Sequence, residues 1–149
     1  MIKVTLTSES EMVAFGVQCA PCIQPGQVVF LDGDLGAGKT TLSRGLLKGW
    51  GYTGAVTSPT FTLLESYELP HAMIYHFDLY RMEQPEELEM IGARELFNSH
   101  SICLIEWPER AAGFLPEADV SFTIEHLDEG RSIEIGGRAS AALETCINA

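Results

Sequence analysis

A chain of 149 residues is one domain's worth of polypeptide, and 46% apolar with 20% charged residues is enough to bury an ordinary core. Nine Lys and Arg against 21 Asp and Glu leave a net charge of −12, with the cations scattered singly, which argues against strong nucleic-acid binding because phosphate affinity needs clustered cations. No run approaches the roughly 18 apolar residues of a membrane span, and the alternating start MIKVTLTSESEM lacks the apolar centre of a leader peptide, so the cytoplasm is the expected compartment.

Residues 2–7 alternate apolar and polar like a strand. Ser8 and Glu11 have capping-box spacing, and Met12, Phe15 and Cys19 follow at helical intervals until Pro21 and Pro25-Gly26 end the helix. Residues 27–31 read as a buried strand of the parallel-sheet kind, followed by a glycine-rich turn. Leu42, Leu46 and Leu47 then mark the apolar side of a second helix, stopped by Gly49 and Gly51. Strands over 60–68 and 72–78 are joined by Leu69-Pro70-His71 as a hairpin. Pro85 with Glu86, Glu87 and Glu89 reads as a helix first turn, with acids near the positive end of the dipole. A buried strand over 101–105 ends at Glu106, and strands over 119–125 and 131–135 flank Asp128-Glu129-Gly130 as a second hairpin. The small, weakly patterned tail from Gly136 onward is expected to fray. With no repeat or linker, residues 1–149 read as a single α/β domain with a mainly parallel central sheet and antiparallel additions. The order of its strands is not legible.

Four cysteines need a separate reading. Cys19 and Cys22 form C-x-x-C, but Pro21 sits inside it and no second such pair exists, so the expectation is ordinary buried or half-buried thiols rather than zinc ligands.

The strongest chemical signal is Gly33-Asp34-Leu35-Gly36-Ala37-Gly38-Lys39-Thr40, a full G-x-x-x-x-G-K-[ST] leaving a strand and entering a helix. Its glycines let backbone N–H groups converge on phosphate oxygens, and the helix start adds positive potential. In such a loop Lys39 reaches the β- and γ-phosphates and the Thr40 hydroxyl binds Mg²⁺. The expected architecture is therefore a three-layer sandwich of the P-loop NTPase kind.

Two acids, Asp78 and Glu106, each end a buried strand, where a P-loop protein places the groups that hold metal-bound waters or the attacking water. Ser58-Pro59-Thr60 reads either as a switch-like loop or as a turn that starts a strand. Trp107 is either core or near the nucleotide, Trp50 core, and His76 a packed histidine. Arg81 stabilises transferring phosphate or pairs with nearby acids. Without an N-K-x-D motif or an insertion long enough for a lid, neither an ordinary GTPase nor an ordinary small-molecule kinase fits well. A compact ATPase with a conformational output remains, with a small-molecule kinase and a nucleotide-gated binding module as alternatives.

Gly33 to Thr41, Thr57-Ser-Pro-Thr-Phe61, His76-Phe-Asp-Leu-Tyr-Arg81 and Ile105-Glu-Trp-Pro-Glu-Arg110, in that order, closely resemble the TsaE (YjeE-type) family. The resemblance runs from about residue 8 to residue 131. It implies the bacterial ATPase of tRNA threonylcarbamoyladenosine synthesis, binding ATP and Mg²⁺, hydrolysing slowly to ADP on its own, and acting with the TsaD–TsaB pair. Under it, Lys39 and Thr40 are the loop's lysine and threonine, and Thr41 continues the nucleotide-binding run. Asp78 is the metal-side acid, Glu106 the second-motif acid, Ser58–Thr60 the switch-like loop, and Trp107 the tryptophan near the nucleotide. One departure is Met12, where the family often carries threonine.

Overall fold

The computed structural model describes residues 2–56 and 63–148. Ser58-Pro59-Thr60 and the start of the strand expected over 60–68 lie outside the described residues. Seven strands form one sheet: β1 (Ile2–Leu6), β2 (Val28–Gly33), β3 (Leu64–Leu69), β4 (Ala72–Asp78), β5 (Ser101–Glu106), β6 (Val120–His126) and β7 (Arg131–Gly136). Among the described residues, five α-helices accompany them: α1 (Glu9–Cys19), α2 (Lys39–Gly49), α3 (Glu87–Met90), α4 (Ala93–Leu96) and α5 (Ala141–Ile147).

The strand order is β1-β7-β6-β2-β5-β4-β3. β6, β2, β5 and β4 pair in parallel, and β3, β7 and β1 add antiparallel edges. The expected α/β class is therefore observed. Its parallel centre follows from strands buried on both faces: every residue of β5 is buried. On one face α1, α2 and α5 cover Leu31, Ile74, Leu104 and Phe122. On the other, a thinner layer with Leu88, Ala93 and Ala111 covers Phe77 and Ile105.

Local chemistry sets the helix limits. The Ser8 hydroxyl accepts from Glu11 N–H at 3.1 Å, as the capping spacing predicts, but the Glu11 carboxylate reaches Thr7 N–H at 2.7 Å rather than the cap residue itself. Trp50 is core, its indole N–H donating to the Ala20 carbonyl at 2.8 Å. The helix expected from Pro85 is instead two single turns, α3 and α4, separated at Gly92, which has φ 70°.

Two further expectations change. The segment after Gly136 does not fray through the described residues: it forms α5, whose Leu143 is fully buried. The Gln18 amide donates to the carbonyls of Cys146 and Ile147 at 3.0 Å, and Arg138 pairs with Asp119 at 2.7 Å. One anchoring leucine in a run of small residues is too weak a pattern to announce a helix. Second, Cys22 is not a thiol but is disulfide-bonded to Cys146, while Cys19 and Cys103 are free and buried. Among the described residues, no helix is long and apolar enough to cross a membrane.

Candidate functional site

β2 delivers the glycine-rich loop to the edge of the sheet where the parallel strands β2, β4 and β5 have their C-terminal ends, the edge at which open α/β sheets bind ligands. Gly38 caps α2 with φ 117°, a left-handed conformation that a side chain would strain, and it offers no side-chain cap to the helix. The first amides of α2 therefore face the loop as an anion-binding end. Asp34, Leu35 and Gly36 are exposed at the tip of the loop, Ala37 is buried, and Thr40 and Thr41 are half-buried in the first turn of α2.

Lys39 is only 5% exposed. Its ammonium donates to the Gly33 carbonyl at 2.6 Å and lies 3.5 Å from the centroid of the Trp107 ring. Trp107 has φ 60°, as the left-handed step out of β5, and its ring also meets Tyr80 at 4.9 Å. Of the two readings open for Trp107, the structure places it against the loop's lysine.

Asp78 and Glu106 are aligned partners in the β4–β5 register, and the Glu106 carbonyl accepts from Leu79 N–H at 3.1 Å. Burial pushes the Lys39 ammonium below its ordinary value, opposed by Glu106, Asp78, Glu109 and Asp32 in that order. Burial likewise raises the Asp78 carboxyl, with the neighbouring Glu106 adding to it, while the Tyr80 N–H, His76 and Lys39 pull the other way. Asp32 is raised by burial first and then by Glu109. One lysine thus stands in the field of four acids.

Three residues of this site were not visible as such from their spacing. His76, read only as packed, is fully buried with Nε2 2.5 Å from Glu106 Oε2, which ties that carboxylate down. Asp32 and Glu109 add carboxyls to the ring around Lys39. The β4–β5 register could have found His76, because it sits two residues before Asp78 on the neighbouring strand to Glu106; the register itself was not legible.

A cavity of about 340 Å³ opens beside the loop, lined by Thr7, Glu9, Met12, Gly38, Thr41 and Arg131 among others. The Met12 methyl would lie 3.0 Å from a Cβ placed on Gly38, so the methionine packs where loop and cavity meet. A second cavity, of about 530 Å³, lies between Asp32, Asp34, Trp107, Glu109 and His126.

Residues 6–133 match the family model described as threonylcarbamoyl adenosine biosynthesis protein TsaE. The chain is 50% identical over 135 residues to the tRNA threonylcarbamoyladenosine biosynthesis protein TsaE of Haemophilus influenzae, covering 87% of this chain and 85% of the relative. It is 38% identical over 133 residues to the protein of the same name from Bacillus subtilis, covering 89% and 83%. Among solved structures, Bacillus subtilis YdiB superposes with a TM-score of 0.81 at 32% identity, covering 99% of this chain and 94% of that one. By sequence along most of its length and by fold, the chain belongs to the TsaE family, whose members act in tRNA threonylcarbamoyladenosine biosynthesis.

Proposed function

We propose that the chain is a Mg²⁺-dependent ATPase, slow by itself and stimulated by the TsaD–TsaB pair, which it energises or regulates during formation of threonylcarbamoyladenosine beside the tRNA anticodon. The observation that carries this reading is the convergence of a glycine-bounded loop, a buried lysine and the strand-end acids Asp78 and Glu106 at one sheet edge. Its compartment in this reading is the cytoplasm, where tRNA is modified.

The residues fit both groups. Left-handed Gly38 and the open start of α2 suit phosphate, and the nucleoside fits the cavity lined by Thr7, Met12 and Thr41. Thr40, Asp78 and Glu106 are oxygen ligands of the kind Mg²⁺ prefers. Among the described residues no three His, Cys, Asp or Glu side chains form a metal site by themselves, which fits a cation shared with phosphate oxygens. Bound there, Mg²⁺ would supply charge neutralisation on the β- and γ-phosphates.

Lys39 leaves the Gly33 carbonyl and the Trp107 face to meet the phosphates, since it cannot serve both. Asp78 and Glu106 hold the water that attacks the γ-phosphorus in line, and a carboxylate accepts its proton as the bond to the β-phosphate oxygen breaks, giving ADP and phosphate. His76 keeps one Glu106 oxygen fixed, which orients the carboxylate toward its role with the water or metal.

The test is phosphate release from ATP with Mg²⁺, with and without purified TsaD–TsaB, for the wild type and Lys39→Ala. Stimulation by the pair that vanishes in Lys39→Ala is the expected outcome. Phosphate arriving on an added metabolite instead of in water would favour a kinase, and binding without turnover even with the pair would leave a nucleotide-gated module.

A further inference from the structure

Arg131 opens β7, at the end of the hairpin turn that follows β6, and lies 94 positions along the chain from the loop residue it touches. Its Nε donates to the Ala37 carbonyl at 3.0 Å, its Nη2 reaches the Gly36 carbonyl at 3.4 Å, and its Nη1 donates to the Gly130 carbonyl at 2.8 Å. One guanidinium thus grips two consecutive carbonyls of the glycine-rich loop, beside the cavity that both line, while anchored to its own turn.

That turn is not free to move. Gly130 has φ 105°, and a Cβ there would lie 2.2 Å from the Leu6 carbonyl oxygen, so the turn presses directly on the end of β1. Arg131 is also aligned with Leu6 on β1 and with His126 on β6. The arginine is therefore mounted on the sheet itself, and the rigid fork of its side chain matches a pair of fixed acceptors better than an ammonium would.

The geometry of a trans peptide makes this grip consequential. Carbonyl and amide of one peptide unit point in opposite directions. Turning the Ala37 carbonyl to the guanidinium turns the Gly38 N–H to the other side, and the same operation on Gly36 turns the Ala37 N–H, which closes the loop on the Asp34 carbonyl at 3.1 Å. A loop that is to cradle a polyanion must aim its amides inward and its carbonyl oxygens away, because those oxygens repel phosphate. A group that holds the carbonyls sets that orientation before the ligand arrives, so less ordering is left for binding to achieve.

We propose that Arg131 is a positioning residue for the phosphate loop, holding the Gly36 and Ala37 carbonyls so that the Ala37 N–H closes the loop on Asp34 and the Gly38 N–H is presented to the phosphates of a nucleoside di- or triphosphate. The inference rests on the phosphate-loop reading above and extends it to a residue outside the four motifs. Arg131 lines the cavity given above to the nucleoside, and in this role it holds the loop and takes no part in bond breaking.

The experiment measures ADP affinity by titration calorimetry and ATP turnover in the presence of TsaD–TsaB, for the wild type, Arg131→Ala and Arg131→Lys, with melting temperatures alongside. Arg131→Ala should weaken ADP by about 10- to 100-fold, the size expected for losing one or two hydrogen bonds from a charged donor. KM for ATP should rise by a similar factor, with kcat at saturation kept within about threefold because the reacting groups are untouched. Arg131→Lys, which can hold one carbonyl but not both, should fall between the two. If Arg131→Ala does not fold, Arg131→Lys decides: native melting with weakened ADP supports the role, and native melting with wild-type ADP affinity overturns it. Equal ADP affinity in a folded Arg131→Ala overturns the inference alone. A wild type that binds no ADP overturns the phosphate-loop reading and this inference with it.

Discussion

Replacing His76 with phenylalanine separates an imidazole that holds a carboxylate from one that fills space. The ring is fully buried, its Nε2 meets a Glu106 carboxylate that is itself 3% exposed, and its Nδ1 is a buried atom without a hydrogen-bond partner. Phenylalanine keeps a ring of similar breadth and deletes both nitrogens. Breaking a buried pair by removing one member costs about 3–5 kcal/mol. Deleting the unpartnered nitrogen returns its desolvation penalty, about 1–3 kcal/mol. The difference is a net loss of about 2 kcal/mol, and at roughly 2–4 °C per kcal/mol for a domain of this size the melting temperature falls by about 4–8 °C. Glutamine, whose amide N–H can still reach Glu106, should recover part of that loss. The assay is thermal unfolding by circular dichroism, joined by turnover with TsaD–TsaB and by ADP binding. Turnover should drop in His76→Phe while ADP affinity holds, since His76 bonds the strand-end acid Glu106 rather than the phosphate site. In a double-mutant cycle with Glu106→Gln, the two sites should couple by more than about 1 kcal/mol. A phenylalanine variant that melts within about 1 °C of the wild type, with no coupling to Glu106, would refute the reasoning.

Trp107 carries the Lys39 ammonium on its ring face, so displacement of Lys39 by phosphate should change Trp107 emission on addition of ADP, and the change should be absent in Lys39→Met; a Trp50→Phe background removes the second indole, and an unchanged spectrum at saturating ADP would contradict the displacement. The Cys22–Cys146 bond closes a chain segment of 124 positions, so Cys146→Ser should lower stability by up to about 5 kcal/mol by the loop-entropy estimate while leaving ADP binding intact. In the same protein burial pushes the Cys19 and Cys103 thiols up to about 12, so they stay protonated far above neutrality. Neither should react with a thiol reagent at pH 8 until the chain is unfolded, and rapid native labelling of either would count against its burial.

The loop was legible because its information is local. Glycines at 33, 36 and 38 specify backbone states within a few residues, and the apolar run before them and the Leu42, Leu46, Leu47 stripe after them specify the flanking strand and helix. Asp78 and Glu106 were legible as the ends of buried runs. Their being side by side was not, because parallel register is fixed by packing between segments and leaves no periodicity in either one. His76 was legible as the packed histidine it is, but its partner was not: an imidazole in an apolar strand reads as packed whether or not a carboxylate waits on the next strand. Arg131 is more extreme still, because a single cation after a hairpin glycine is a common turn ending, and only the approach of β7 to the loop gives it carbonyls to hold. The disulfide fell outside any spacing rule, since its two cysteines belong to opposite ends of the chain and the helix carrying Cys146 has one buried leucine to announce it.

The strand order has a consequence for how the protein comes into being. β2 carries the phosphate loop, yet neither of its neighbours in the sheet is a neighbour in sequence: β5 and β6 both lie in the last third of the chain, and β6 is in turn held by β7, which is held by β1. Contacts between segments so far apart close large loops and form slowly. During synthesis the loop emerges early with no sheet to brace it, and its geometry must wait until the β6–β7 hairpin, with the arginine that grips the loop, has been made and docked. On the proposed function, nucleotide affinity is expected only once the β6–β7 hairpin has docked, and a chain terminated before it should bind no ADP.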